Sequence, residues 1–330
     1  MSAFLGSLRK RVFGIPARDL AFERRGFRGS DPAMRERLQQ ISQAFVWGYH
    51  AALEKDDPEV LVPKLNSFEL DLRGFAFEGA AMGLALLDFI TPWRRDRLRS
   101  FLQGAGGAHA YMVHVGAGWL LARIPGRVAP RLARFDPLLR WLVVDGYGFH
   151  EGFFHWQRYV AGEPAPARLA GYGRRAFDQG FGRCLWFIEG GDVARIPQTI
   201  AAFAPERRAD LWGGVGLAAT YAGGVGTGEL EALRASAGSS QPCLAQGAAF
   251  AAKARQHGGN LVPYTDQACL ALCGLPAAQA AQITDDALQN LPPDSTAPAY
   301  EIWRQRVQAK LASLFMDRQA AFPAGVPRSP

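Results

Sequence analysis

An internal sequence repeat at an offset of about a hundred residues, called the echo below, constrains the fold of this chain more than any other feature. Three glycine-containing segments recur at offsets of 101, 98 and 101 residues. The pairs are 77–79 with 178–180, 114–118 with 212–216, and 145–151 with 246–252. We interpret the echo as a duplication in which glycine and apolar residues form a shared scaffold. The ionisable residues of the first copy are then additions specific to that half.

The pattern of apolar residues predicts helices almost throughout. Their spacing follows the period of an α-helix, and alternating strand-like segments are nearly absent. Prolines and glycine pairs mark the breaks, among them Pro58, Pro63 and Gly223-Gly224. We therefore expect an all-α fold: a pseudo-duplicated, glycine-rich helical bundle with two similar lobes in one compact body.

Glycine in the middle of helices needs a reason, because each costs about 1 kcal/mol relative to alanine. Two explanations remain open. Either neighbouring helix backbones pack closely, or a glycine-lined groove admits a flat or elongated ligand beside aromatic side chains.

Charge and composition divide the chain into four parts. These are a basic segment at 1–28, a first helical lobe at 29–161 carrying the ionisable residues, a second lobe at 162–290, and a C-terminal helix with a disordered tail at 291–330. The first segment supplies +5 of the net charge of +7, so we expect no nucleic-acid partner. It predicts either peripheral contact with a membrane or an acidic partner protein, or a frayed basic terminus.

The cysteines and the longest apolar stretches bear on location. Four cysteines in 330 residues do not form a disulfide framework, and the start lacks the long apolar stretch of a secretory signal. The stretches 75–90 and 108–124 are shorter than the roughly 20 apolar residues that a membrane span needs. We therefore expect a cytoplasmic protein.

Five ionisable residues on three neighbouring helices are the catalytic candidates: Glu78, His114, Asp145, His150 and Glu151. Asp145 and His150 lie about 140° apart around one helix, so the third helix cannot point all its polar groups inward. Carboxylate-bridged iron in helical bundles normally uses Glu-x-x-His on two helices, a motif that does not follow Glu78. A two-His, one-carboxylate iron site requires His150 to face inward. Metal and cofactor stay unknown.

A metal-free acid/base site needs only one carboxyl in an apolar cavity, where burial raises its pKa and lets it protonate an alkene or a polarised carbonyl. Glu78 is the first choice. In the alternative, Glu78, His114 and Asp145 cross-link helices through buried hydrogen bonds. Arg73, Arg174, Arg175 and Arg183 are expected to pair with Asp178 or Asp210. The predicted substrate contacts are Trp119, Tyr147, Phe149, Trp186 and Trp212, with Arg73 for an anionic group.

Four ordered segments, 73–82, 114–119, 145–152 and 244–250, resemble the bacterial domain-of-unknown-function family 1702. That family includes accessory proteins encoded beside enediyne polyketide synthases, and the likeness runs from 26 to about 304. The resemblance implies a natural-product biosynthesis protein acting on a long conjugated polyene or polyketide, as an isomerase, cyclase or metal-assisted oxidase. The alternative is a noncatalytic polyene-binding or complex-assembly protein that docks a carrier protein or a membrane partner.

Overall fold

The protein consists of long buried helices joined by shorter ones. The computed structural model describes residues 2–91, 93–94 and 96–321, with side chains from 4 to 316, and this part of the chain contains helices but no strands. The α-helices are α1 (Ser2–Phe13), α2 (Phe22–Arg25), α3 (Pro32–Glu54), α4 (Pro58–Asn66), α5 (Leu70–Ile90), α6 (Arg97–Gln103), α7 (Ala110–Arg123), α8 (Ala129–Leu132), α9 (Arg140–Val160), α10 (Tyr172–Ile188), α11 (Arg195–Ala201), α12 (Pro205–Ala222), α13 (Thr227–Ser236), α14 (Gln241–His257), α15 (Pro263–Cys273), α16 (Ala277–Asp286) and α17 (Ala299–Ala321).

The all-α prediction is confirmed, but one predicted break is wrong. Pro58 begins α4 after the break that was predicted there, whereas Pro63, where a break was also predicted, lies inside α4. Pro58 occupies the first turn, where its missing N–H costs nothing, and the Asp57 side chain caps the helix. Burial of Leu61 and Leu65 offsets the cost of Pro63 inside the helix. The predicted disordered tail, 321–330, lies outside the described residues except for the helical Ala321.

Seven long helices, α3, α5, α7, α9, α10, α12 and α14, pack side by side in chain order, and glycine sets their spacing. At each step a glycine lies against a backbone carbonyl of the preceding helix, where any Cβ would overlap the oxygen. The contacts are Gly79 on Phe45, Gly116 on Glu78, Gly146 on Val115, Gly180 on Asp145, Gly214 on Gln179 and Gly247 on Gly213. The prediction of close helix packing at these glycines is confirmed.

These contacts repeat at a shorter period than the echo. The six glycines that face the preceding helix recur every 30 to 37 residues. In four of the helices a second glycine, two residues later, lies against the next helix: Gly118 on Val143, Gly148 on Phe177, Gly182 on Leu211 and Gly216 on Leu244. The hundred-residue echo therefore spans three helix-to-helix steps. The division into two lobes at 161 and 290 stays a prediction.

The row of helices curves so that α12 returns to α3 and α5. The Arg37 Nε donates a hydrogen bond to the Ala222 carbonyl at 3.1 Å, and Met34 lies against Gly224. The Tyr221 ring packs edge-on against Phe75, with centroids 5.2 Å apart. This closure leaves a space between the helices. Within the described residues, none of the helices combines the length and the apolar character needed to cross a bilayer.

Candidate active site

An apolar cavity occupies the space that α3, α5, α7, α9, α10 and α12 surround. The space measures about 610 Å³, part of it open to solvent, and Ile15 and Leu20 of the N-terminal segment line one side. Eight of the eighteen lining residues are aromatic: Phe45, Phe75, Trp119, Phe149, Phe153, Phe154, Phe187 and Tyr221. Glu78 and Arg183 place a carboxyl and a guanidinium group on the same wall. We call this space the first cavity.

The glycine contacts determine which side chains reach this cavity. At four of the six contact glycines, on successive helices, the residue three positions later lines the cavity: Trp119, Phe149, Arg183 and Leu217. One turn further on, Phe153, Phe187 and Tyr221 form a second inward row. Arg183 is the charged member of the first row.

Both buried carboxylates of the site precede a contact glycine by one residue. Glu78 precedes Gly79 on α5, and Asp145 precedes Gly146 on α9. The same contacts that hold the helices together therefore fix the backbone of each acid, so that a rigid frame positions both groups.

Glu78 combines burial with an apolar surrounding. The residue is only 3% exposed, and the Trp119 Nε1–H donates a hydrogen bond to Glu78 Oε1 at 3.0 Å. Burial raises the pKa of the Glu78 carboxyl to about 7, although the nearby Arg183 charge and the Trp119 hydrogen bond act in the opposite direction. The protonated and ionised forms are therefore both populated near neutral pH, as a general acid/base requires.

Arg183 forms a buried ion pair with Asp145. The Gln179 side-chain amide donates a second hydrogen bond to Asp145, at 2.8 Å. The Arg183 guanidinium also lies 5.0 Å from the centre of the Phe149 ring, within cation–π range. The paired arginine therefore brings positive charge to the cavity wall without being an unpaired buried charge.

A second cavity of about 460 Å³ adjoins the first. Arg183, Leu217 and Tyr221 line both spaces, while Asp145, Phe250, Tyr300 and Trp303 are among the residues that line the second space alone. Trp303 belongs to α17, and its indole N–H donates a hydrogen bond to the Thr284 carbonyl at 2.7 Å. The polar groups of the site thus lie where two apolar spaces meet.

His150 and Glu151 belong to a different network, consistent with their rotation away from Asp145 around α9. The Tyr159 hydroxyl donates to Glu151 Oε2 at 2.8 Å, and His150 Nδ1 lies 3.3 Å from Glu151 Oε1. The Arg123 Nε–H donates to His150 Nε2 at 3.0 Å. Burial lowers the pKa of His150 to about 4, so the ring is neutral and can accept this hydrogen bond.

His114 also lies apart from Glu78. Its Nδ1 hydrogen-bonds the Ala110 carbonyl at 2.7 Å, and its ring packs near Phe135. Burial lowers the pKa of the His114 imidazole. Of the five catalytic candidates, the structure therefore brings only Glu78 and Asp145 to the site: Glu78 shares the first cavity with Arg183, and Asp145 shares the second. Among the described residues, no group of three His, Cys, Asp or Glu side chains is placed to hold a metal ion.

The predicted substrate contacts fall into two groups. Trp119 and Phe149 line the first cavity. The other four lie in helix contacts: Tyr147 accepts from Arg168, Trp186 donates to the Gly223 carbonyl, Trp212 is buried on α12, and Arg73 donates to the Phe68 carbonyl.

The expected arginine pairs are partly wrong. Arg175 does pair with Asp210, but Asp178 pairs with Arg207, and Arg183 pairs with Asp145. Sequence reasoning therefore undervalued Arg183, and it missed Tyr221 and Phe187 as cavity residues. Their positions three and seven residues after a contact glycine would have indicated all three.

The residues of the site lie inside the part of the chain that matches a protein-family model. A family model described as a protein of unknown function, DUF1702, matches residues 4–311. The chain belongs to the DUF1702 family. Comparison with curated proteins and with solved structures gives no match. Glu78, Asp145 and Arg183 all fall within the stretch shared with the DUF1702 model.

Proposed function

We propose that this protein binds a long, unsaturated, apolar molecule in its aromatic cavity and that Glu78 exchanges a proton with it. The observation that carries the proposal is a single buried carboxyl with a pKa near 7 on an aromatic wall. Such a group is half protonated at neutral pH and excluded from bulk water. It can therefore donate a proton and take one back within the same complex.

The reaction class that fits this arrangement is acid/base isomerisation or cyclisation. Protonated Glu78 adds its proton to one carbon of a conjugated system, which forms a C–H bond and leaves a delocalised cation. The surrounding aromatic rings stabilise that cation through their negative faces. The Glu78 carboxylate then removes a proton from another carbon, which shifts the double bond without net change in composition. Attack by a second double bond before this step closes a ring.

Arg183 serves the ionised half of this cycle. Its charge lowers the pKa of Glu78 and so stabilises the carboxylate that remains after proton donation. Asp145 holds Arg183 in place and offsets part of its charge. The pair therefore adjusts the pKa of Glu78, and Glu78 itself transfers the proton.

The resemblance of the glycine segments to accessory proteins of enediyne clusters supports a conjugated polyene or polyketide as the substrate. We accordingly assign the protein to natural-product biosynthesis, with other biosynthetic proteins as partners. A cytoplasmic location is part of this proposal, since the described cysteines are free thiols, as is usual in a reducing compartment.

The test uses a conjugated tetraene fatty acid and its methyl ester as model chains, incubated with the full chain in D₂O. We expect both chains to quench tryptophan fluorescence and to acquire deuterium at former vinylic carbons, detected by mass spectrometry. Glu78→Gln keeps the Trp119 hydrogen bond and should still bind the chain, but it should lose deuterium incorporation. Glu231→Gln, an exposed change on α13, is the matched control and should behave as the wild type.

Two results would separate the alternatives. Binding by the wild type without deuterium incorporation would refute the acid/base role. It would favour the noncatalytic alternative, in which the cavity only shields a reactive chain for partner proteins. If neither the fatty acid nor its methyl ester binds, the assignment of the cavity to apolar chains of this class is refuted.

A further inference from the structure

Helix α1 exposes an apolar face to solvent. Phe4 and Val12 are 76% and 62% exposed, and Leu5 and Leu8 are exposed beside them. Phe4, Leu8 and Val12 follow at four-residue intervals and so share one side of the helix. The opposite side is attached to α3, where Gly6 lies against the backbone of Glu54. The apolar face therefore points away from the protein.

A second exposed apolar group lies next to α1. Trp93 is 83% exposed, and Phe89 is exposed on the last turn of α5. Asp56 connects the two regions, because it pairs with Arg9 of α1 at 3.6 Å and with Arg97 at 2.5 Å. Arg97 in turn donates to Thr91 at 2.9 Å, two residues before Trp93 in the sequence. We call this combined region the α1 surface: Phe4, Leu5, Leu8, Val12, Phe89 and Trp93.

Basic side chains border the α1 surface. Arg11 and Arg94 are exposed and form no ion pair with any of the described residues, whereas Arg9 and Lys10 are engaged by Asp56 and Glu54. Exposed apolar side chains flanked by positive charge are the combination that binds an anionic lipid surface: the apolar groups enter the headgroup boundary and the arginines meet phosphates.

We propose that the α1 surface docks this protein on an anionic lipid membrane. The inference rests on exposure, charge and position alone and does not depend on proton transfer by Glu78. The chain leaving α1 runs directly to Ile15 and Leu20, which line the first cavity. Docking brings this side of the cavity next to the bilayer, where long apolar molecules accumulate. The α1 surface then gives such molecules a route that avoids water.

The test is flotation of the full chain with vesicles of phosphatidylcholine, with and without an equal part of phosphatidylglycerol. We expect binding to the anionic vesicles that weakens as salt rises from about 0.1 M to about 1 M. The double variant Leu8→Asp/Val12→Asp should lower the partition coefficient at least about tenfold. Leu270→Asp changes a leucine of similar exposure, 47%, on α15 and should leave binding unchanged.

Circular dichroism and the midpoint of urea unfolding verify that each variant is folded, and Trp93→Ala provides a second, independent probe of the surface. Equal binding of the wild type and the double variant would overturn the proposal, as would absence of binding to anionic vesicles. Binding of an acidic carrier protein that the double variant abolishes, without vesicle binding, would assign the surface to a protein partner instead. Deuterium incorporation into the model chains is measured separately, so the two proposals fail independently.

Discussion

Replacing Glu78 with glutamine should remove a pH-dependent loss of stability. In the folded protein, burial raises the pKa of Glu78 from 4.5 to about 7. Between these values the folded state holds a proton on Glu78 that the unfolded state has released. The free energy of unfolding therefore falls as pH rises through this window, because ionising the buried carboxyl is costlier in the folded state.

The size of the effect follows from the same values. Each pKa unit corresponds to about 1.4 kcal/mol, so Glu78 lowers the stability of the wild type by about 3 kcal/mol between pH 4.5 and pH 8. Glutamine cannot ionise and keeps an oxygen to accept the Trp119 hydrogen bond. The variant should therefore gain about 3 kcal/mol on the wild type over this range, while the two differ little at the acidic end.

Urea unfolding at a series of pH values, followed by circular dichroism, measures this difference directly. The pKa of Asp178 is also raised, to about 6, by burial, but it affects the wild type and the variant alike and cancels in their difference. Parallel stability curves for the two proteins would refute the reasoning, since they would mean that Glu78 is not desolvated in the folded state. Glu231→Gln again serves as the control.

Three further changes test the frame and the ion pair. Arg183→Met leaves Asp145 buried without its partner and should cost about 3 to 5 kcal/mol in urea unfolding; a cost under about 1 kcal/mol would contradict a buried pair. Gly180→Ala forces a methyl group into the Asp145 carbonyl and should cost at least about 2 kcal/mol in the same assay. Gly228→Ala, on exposed α13 with open space around it, should instead stabilise by about 0.5 kcal/mol; equal effects at both glycines would rule out the contact argument.

The helices were predictable because apolar periodicity and turn residues act locally. Helix α4 was not, since burial of Leu61 and Leu65 in the folded protein overrides the local preference of Pro63. The echo pointed correctly to the glycines as scaffold. It did not give the helix-to-helix period, because the contact that repeats is with a backbone carbonyl, which leaves no side-chain pattern on the partner helix.

The site was only partly predictable because the rotation of each helix was unknown. Glu78 and Asp145 precede a contact glycine by one residue and face the interior, whereas His114 lies two before one and His150 lies four after one. Only the glycine contacts between the helices determine which side of each helix faces the interior. Arg183 was undervalued because it lies in the copy whose counterparts of Glu78 and Asp145 are uncharged glutamines.

The residues that hold the helices together are different from the residues that line the cavity. The spacing of the helices depends on contacts between their backbones. The first inward row, formed by Trp119, Phe149, Arg183 and Leu217, therefore does not set this spacing. Phe149 and Leu217 can therefore change in size while the helices keep their spacing, whereas Trp119 and Arg183 are bound to the two buried acids. Phe149 and Leu217 are therefore the two positions of this row at which the shape of the cavity can be altered without disturbing the buried acids.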